Sequence, residues 1–187
     1  MKQNWKPGTL VYPLPAALVS CAHGGRTNLL TVAWTGTICT NPAMLYISVR
    51  PERFSYPLIK ESMEFTLNLT TAGMARATDL CGVTSGADGD KWEASGLHPY
   101  PGVAVACPAV AESPISIECR VKSIMPLGSH HMFIAEVMNV LADEEYMDSE
   151  TGKFDLERAG LLSYSHGSYY AQGPRLGTFG FSVRKKK

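Results

Sequence analysis

Residues 115–141 constrain the fold more than any other stretch of this chain. From Ile115 the residues alternate, with Ile115, Ile117, Cys119 and Val121 on one side and Ser116, Glu118, Arg120 and Lys122 on the other. Period two over this length predicts a strand to Ile124, the first set inward and the second outward. Pro126-Leu127-Gly128 marks a turn, and His131–Leu141 returns as a long, largely apolar strand. The segment therefore predicts an antiparallel hairpin.

Shorter runs flank it. Ala16–Ala22, Leu29–Trp34, Met44–Val49 and Met63–Leu69 read as strands, the last setting Phe65, Leu67 and Leu69 against Thr66 and Asn68. Gly24-Gly25 ends the first run, and the connection from His23 to Asn28 reads as longer than a two-residue turn. Thr35–Thr40 reads as a loop of small and hydroxyl residues closed by Asn41-Pro42. Ser55 is expected to cap a helix over Tyr56–Ser62, with Pro57 in its first turn. Thr70 or Thr71 is expected to cap a second helix that ends at Gly82. Asp90, with Glu93 three residues on, predicts a third over Lys91–Ser95, stopped by Gly96. Residues 1–15 read as a loop across the body, Asp143–Asp155 as an exposed acidic stretch, and Leu161–Tyr164 as a last strand before an irregular aromatic tail. Short strands separated by short helices favour a closed antiparallel barrel over a doubly wound sheet.

At 187 residues the chain suits a single domain, residues 1–187, with a core that needs no disulfide staples. Lysine plus arginine equals aspartate plus glutamate, 17 each, so no global field recruits nucleic acid or an anionic membrane. The basic run Arg184–Lys187 reads as a solvated tail. Five widely spaced cysteines, an odd number without a C-x-x-C pair, indicate free thiols in a reducing compartment. Leu18-Val19-Ser20-Cys21 mimics a lipoprotein cleavage site, but Pro13 and Pro15 interrupt the apolar region before it. The expectation is a cytoplasmic protein.

Chemistry concentrates between Asn28 and Tyr56. The third run empties into Arg50-Pro51-Glu52-Arg53, and Pro51 keeps Arg50 out of a helix. Thr31, Thr35, Thr37, Thr40, Ser48 and Ser55 cluster close by in sequence, a set suited to a phosphorylated planar ligand. Arg50 is the first candidate for the phosphate, because a planar fork of charged donors suits it. Backbone amides of Thr35–Thr40 and the hydroxyls of Ser48 and Ser55 would complete that cradle. The competing assignment for Arg50 is an ion pair with Glu52 or Glu61, and Arg53 serves as a solvent-facing control. Cys39 reads as a small apolar filler. There is no G-x-S-x-G, P-loop or G-x-G-x-x-G, and neither His130 nor His131 has metal-ligand spacing to a cysteine.

The patterns N-x-x-T-x-A-W from Asn28, N-P-x-x-x-x-I-S-V-R from Asn41 and R-F-S-Y-x-L-I-x-E-S-x-E-F-T-L-N-L from Arg53, with G-x-H-x-x-F-x-A-E-V from Gly128, resemble the flavin reductase-like, flavoredoxin-type family. The resemblance implies a mainly β fold, an antiparallel FMN-binding split barrel of Greek-key type with a few short helices. It also implies a homodimer and FMN as cofactor, with NADH or NADPH as donor. The activity implied is an NAD(P)H-dependent flavin reductase-like oxidoreductase, or alternatively a flavoredoxin-type electron carrier without nicotinamide oxidase activity. The cofactor-binding set expected on this basis is Asn28, Thr31, Val32, Ala33, Trp34, Thr35, Ser48, Val49, Arg50, Phe54, Ser55, Lys91 and His130. Trp34 fits the flavin edge or the core, and Lys91 fits the cofactor or a solvated helix face. His130 is preferred to His131 on the register of the motif, since adjacent strand residues face opposite ways. No catalytic acid–base dyad and no metal site are expected.

Overall fold

The computed structural model of the chain describes residues 1–183, so the basic tail at 184–187 lies outside the described residues. The strands are β1 (Leu14–Pro15), β2 (Ala17–His23), β3 (Arg26–Val32), β4 (Thr35–Thr40), β5 (Ala43–Val49), β6 (Glu64–Leu69), β7 (Pro99–Tyr100), β8 (Ala109–Val110), β9 (Ile115–Leu127), β10 (His130–Ala142), β11 (Leu162–Ser165) and β12 (Ser168–Ala171). The α-helices are α1 (Ser55–Ser62), α2 (Ala75–Val83) and α3 (Lys91–Ser95). Seven strands form one antiparallel sheet in the order β3-β2-β6-β9-β10-β5-β4.

One short passage of chain closes that sheet. β3 pairs with β2 at one edge, and β4, which starts three residues after β3 ends, pairs with β5 at the other. The chain changes partners at Ala33-Trp34, where the Ser48 amide donates to the Trp34 carbonyl at 2.9 Å. This corner rolls the sheet into the expected antiparallel split barrel. Val19, Ile47, Phe65, Phe133 and Ala135 fill the interior, each fully buried. Burying a side chain of the Val, Ile or Phe kind contributes about 1.5–3 kcal/mol. A second apolar cluster lies on the other face of β2 and β3, where Leu18 and Leu29 meet Met74, Cys81, Trp92, Leu97 and Val110.

Several expectations shift. Thr35–Thr40 is a strand, because its threonines, Ile38 and Cys39 suit extended backbone and Gly36 leaves room for the Tyr46 ring. A Cβ at Gly36 would come within 3.2 Å of that ring. The β2–β3 connection is a two-residue turn, Gly24-Gly25, with His23 opposite Arg26. Both glycines have positive φ, 58° and 73°, which a residue without Cβ adopts freely. Ser55 lies inside α1, one residue after the capping position at Phe54, and makes no cap bond. Neither Thr70 nor Thr71 caps α2, which is preceded by a 3-10 turn at Ala72–Met74 and continues through Gly82 to Val83.

Asp90 does cap α3, accepting from the Trp92 amide at 2.8 Å, and Gly96 ends it with φ 70°. The β9–β10 hairpin forms as expected, but β9 runs through Pro126 to Leu127 and the turn falls at Gly128-Ser129. Ser116 and Glu118, read as outward, are 3% and 0% exposed. The segment bearing Val103, Ala104 and Val110 covers that face, so the polar side of the alternation is buried as well. Part of the tail read as irregular is β12, which pairs with β11, and β11 pairs with β1. No helix among the described residues is long and apolar enough to cross a membrane.

Candidate functional site

Two abutting clefts open where β3, the exit of β5, the start of α1 and the end of α2 converge. Each encloses about 360 Å³, and they share Leu30, Arg50 and Arg53. That volume lies within the range of roughly 300–1,000 Å³ that small-molecule sites occupy.

The first cleft is lined by Thr31, Val32, Ala33, Trp34, Ser48, Val49 and His130, with Asp79, Gly82 and Val83 from α2. Thr31 is fixed by its hydroxyl, which donates to the Thr78 carbonyl at 2.5 Å, and a Cβ at Gly82 would meet the Thr31 Cβ at 3.3 Å. Trp34, 36% exposed, is therefore a wall of the cleft and not core. Its ring lies 4.3 Å from that of His130, tilted by 43°. His130 Nδ1 is 2.9 Å from the Ser129 hydroxyl. Partial burial first, then the nearby charge of Arg50, holds the His130 pKa below the usual histidine value. His131 faces the other way, its Nδ1 2.6 Å from the Tyr56 hydroxyl.

The second cleft is narrower and more polar. Asn28, Phe54, Ser55, Thr84, Ser85, Gly86 and Lys91 line it, with Glu52 at its mouth. Asn28 is 3% exposed and Ser55 1%, and the Asn28 amide donates to the Ser55 hydroxyl at 2.7 Å. Lys91 is buried, 4% exposed, so it is not a solvated helix lysine. Its ammonium donates to the Cys81 carbonyl at 2.7 Å, and burial pushes its pKa below the usual lysine value. An ammonium has three donors, so this cation is buried against the cleft with capacity to spare. A Cβ at Gly86 would stand 2.5 Å from Asn28 Oδ1 and 2.6 Å from the Phe54 ring, so only glycine lets the loop come this close.

Every expected site residue except Thr35 lines one of the two clefts. Thr35 is 6% exposed and its hydroxyl donates to the Tyr46 carbonyl at 2.6 Å, a bond that holds β4 to β5. The rest of Thr35–Thr40 lines neither cleft. Arg50 is ion-paired with Glu52 at 2.9 Å and half exposed, the alternative its sequence left open. Arg53, taken as a control, instead lines both clefts. Sequence reasoning missed Thr84-Ser85-Gly86, for which the glycine was the available signal. It also missed Asp79, Tyr164 and Tyr169, which carry no local signature.

The cysteines offer no nucleophile here. Burial pushes the Cys21 thiol up to about 11 and those of Cys107 and Cys119 to about 12. Cys39 is half-buried at a bulge in β4 and lines neither cleft. Among the described residues there is no cluster of side chains arranged to hold a metal ion.

Residues 9–172 match the profile of the family described as flavin reductase like domain. The solved structure of flavoredoxin of Desulfovibrio vulgaris (Miyazaki F) superposes with a TM-score of 0.90 at 30% identity, covering 98% of this chain and 100% of that one. Flavoredoxin from Methanosarcina acetivorans gives 0.88 at 27%, again covering 98% of this chain and 100% of the other. An uncharacterized protein of Pyrococcus abyssi is 28% identical over 148 residues, which cover 79% of this chain and 84% of that protein.

Proposed function

Because this chain belongs to the flavin reductase-like family, we propose that its two clefts together hold one FMN and that the protein is a flavin-dependent oxidoreductase. The observation that carries this reading is Lys91, a buried cation with one protein acceptor, at a cleft that abuts a second walled by Trp34 and His130. The donor set fits a phosphate: Lys91, the hydroxyls of Ser55, Thr84 and Ser85, and the guanidinium of Arg53, with Arg50 at the junction. Lys91 takes the role first given to Arg50, because the latter already has a carboxylate partner. The flat-sided cleft of Thr31–Trp34, Val49 and His130 suits an aromatic ring system with a polar edge.

Bound FMN would supply hydride acceptance and electron transfer, which explains why the chain needs no acid–base dyad of its own. The chain's residues would fix the phosphate, exclude water from one wall of the ring and leave room beside Trp34. In the fuller reading NADH or NADPH delivers hydride and a second acceptor removes the electrons. The 30% identity to a flavoredoxin over nearly the whole chain favours, as the alternative, an electron carrier without nicotinamide oxidase activity.

A visible spectrum of the purified protein, an FMN titration of the stripped protein and steady-state oxidation of NADH and NADPH test these readings in turn. A colourless protein that ignores FMN defeats both, whereas flavin binding without nicotinamide oxidation leaves the carrier. Exposed Leu176, Phe179 and Phe181 support pairing with a second copy, expected as a dimer mass in sedimentation equilibrium.

A further inference from the structure

Asp79 faces the ring-end cleft from α2, one turn before Gly82 and Val83, which line the same cleft. Across from it stands the β11–β12 hairpin, contributing Tyr164, Gly167 and Tyr169. That hairpin is anchored to the barrel. Tyr164 pairs with Leu14, the Leu162 amide donates to the Thr70 carbonyl at 2.9 Å, and Tyr12 packs edge-on against both Tyr164 and His166. Tyr169 lies 5.5 Å from Tyr164, ring to ring, and lines the same cleft as Asp79. Burial, then the charge of Asp79, pushes the Tyr169 pKa up to about 12, so the phenol stays protonated at working pH.

Among the described residues lining this cleft, Asp79 is the one carboxylate. The cationic side chains on the lining, Arg50 and Arg53, come from the exit of β5, and Arg50 already faces Glu52. His130 is held toward its neutral form. Charge added to an aromatic group in this cleft therefore meets a negative neighbour on the cleft wall.

We infer that Asp79, the carboxylate on this lining, sets the redox poise of the site by opposing negative charge on the group in the ring cleft. This rests on the FMN reading above. Near neutral pH an oxidised flavin takes up two electrons and one proton to become a singly charged anion on the ring. A carboxylate beside the ring weakens the affinity for that reduced form relative to the oxidised one, and so makes the bound flavin a stronger reductant. The effect expected of one partly exposed charge is about tenfold in the ratio of the two affinities, or about 30 mV for a two-electron couple.

The test is a dithionite titration of the FMN-loaded protein against a reference dye, for wild type, Asp79→Asn and Asp79→Glu. Asp79→Asn is expected to move the midpoint about 30 mV positive, less at high salt, with the affinity for reduced FMN rising about tenfold relative to that for oxidised FMN. Asp79→Glu keeps the charge and is expected to keep the wild-type midpoint. In the FMN-free protein, NMR of ring-labelled tyrosine is expected to place Tyr169 near 12 and to lower it in Asp79→Asn toward the ordinary 10. An Asp79→Asn protein that binds FMN as wild type with an unmoved midpoint overturns the inference and leaves the proposed function standing. Equal shifts in both variants also overturn it, since charge would then not be the cause. A wild-type protein that binds no FMN removes both.

Discussion

Two buried charges in this molecule are treated in opposite ways. Glu118, fully buried on β9, accepts from the Val103 amide at 2.7 Å, the Ala104 amide at 3.2 Å and the Asn139 side chain at 2.6 Å. A glycine at 102 permits this approach, because a Cβ there would collide with the Val105 carbonyl and meet Glu118 itself at 2.9 Å. Lys91 is nearly as buried but has one acceptor, the Cys81 carbonyl, and a cleft beside it. A buried charge whose bonding capacity is filled by its own chain is structural, since removing it leaves its partners unpaired. A buried charge left with spare donors at an opening is prepared for a ligand.

The largest expected effect breaks the structural side of this contrast. Glu118→Ala strands two backbone amides and the Asn139 amide in a dry site, at a cost of roughly 3 kcal/mol or more. Urea denaturation measures it, and FMN affinity of the remaining folded protein should not change. Lys91→Met is expected to do the reverse. Affinity for FMN falls by about 1.5–3 kcal/mol for the lost charged hydrogen bonds, in a fluorescence titration, while stability is kept or improved because no buried charge remains.

The lowered Lys91 pKa gives the same contrast a pH signature. In the window between its folded value and the ordinary 10.5, the unfolded chain holds a proton that the folded chain has released, so folding stability from this group rises with pH. FMN affinity should fall over that window as the ammonium is lost, and Lys91→Met should flatten both trends. A ring-end change is smaller. His130→Ala removes the ring against Trp34 and is expected to weaken FMN by about 0.5–1.5 kcal/mol. Smallest is Arg50→Ala, since this exposed side chain is already engaged by Glu52: about fivefold or less in affinity. A loss from Arg50→Ala exceeding that from Lys91→Met would reverse the assignment of the phosphate.

Much of the barrel was legible because strands announce themselves locally. The alternation in Glu64–Leu69 and Ile115–Val121, and the hairpin they lead to, needed no tertiary knowledge. Thr35–Thr40 was misread because glycine and hydroxyls resemble a loop, and only pairing with β5 reveals a strand. Ser116 and Glu118 were misread because period two assigns one face to water, whereas the segment that precedes β9 covers it. Ser55 was expected to cap a helix and instead accepts from Asn28, which comes from a hairpin 27 residues away.

The sequence by itself determined where most of the strands fall, which family the chain resembles and about half of the residues that line the clefts. Tertiary structure decided which charged groups lose water and which keep a free donor. That choice depends on what lies over each side chain. The Cys81 carbonyl against Lys91 comes from the preceding helix, and the backbone at residues 103 and 104 over Glu118 comes from the segment before β9.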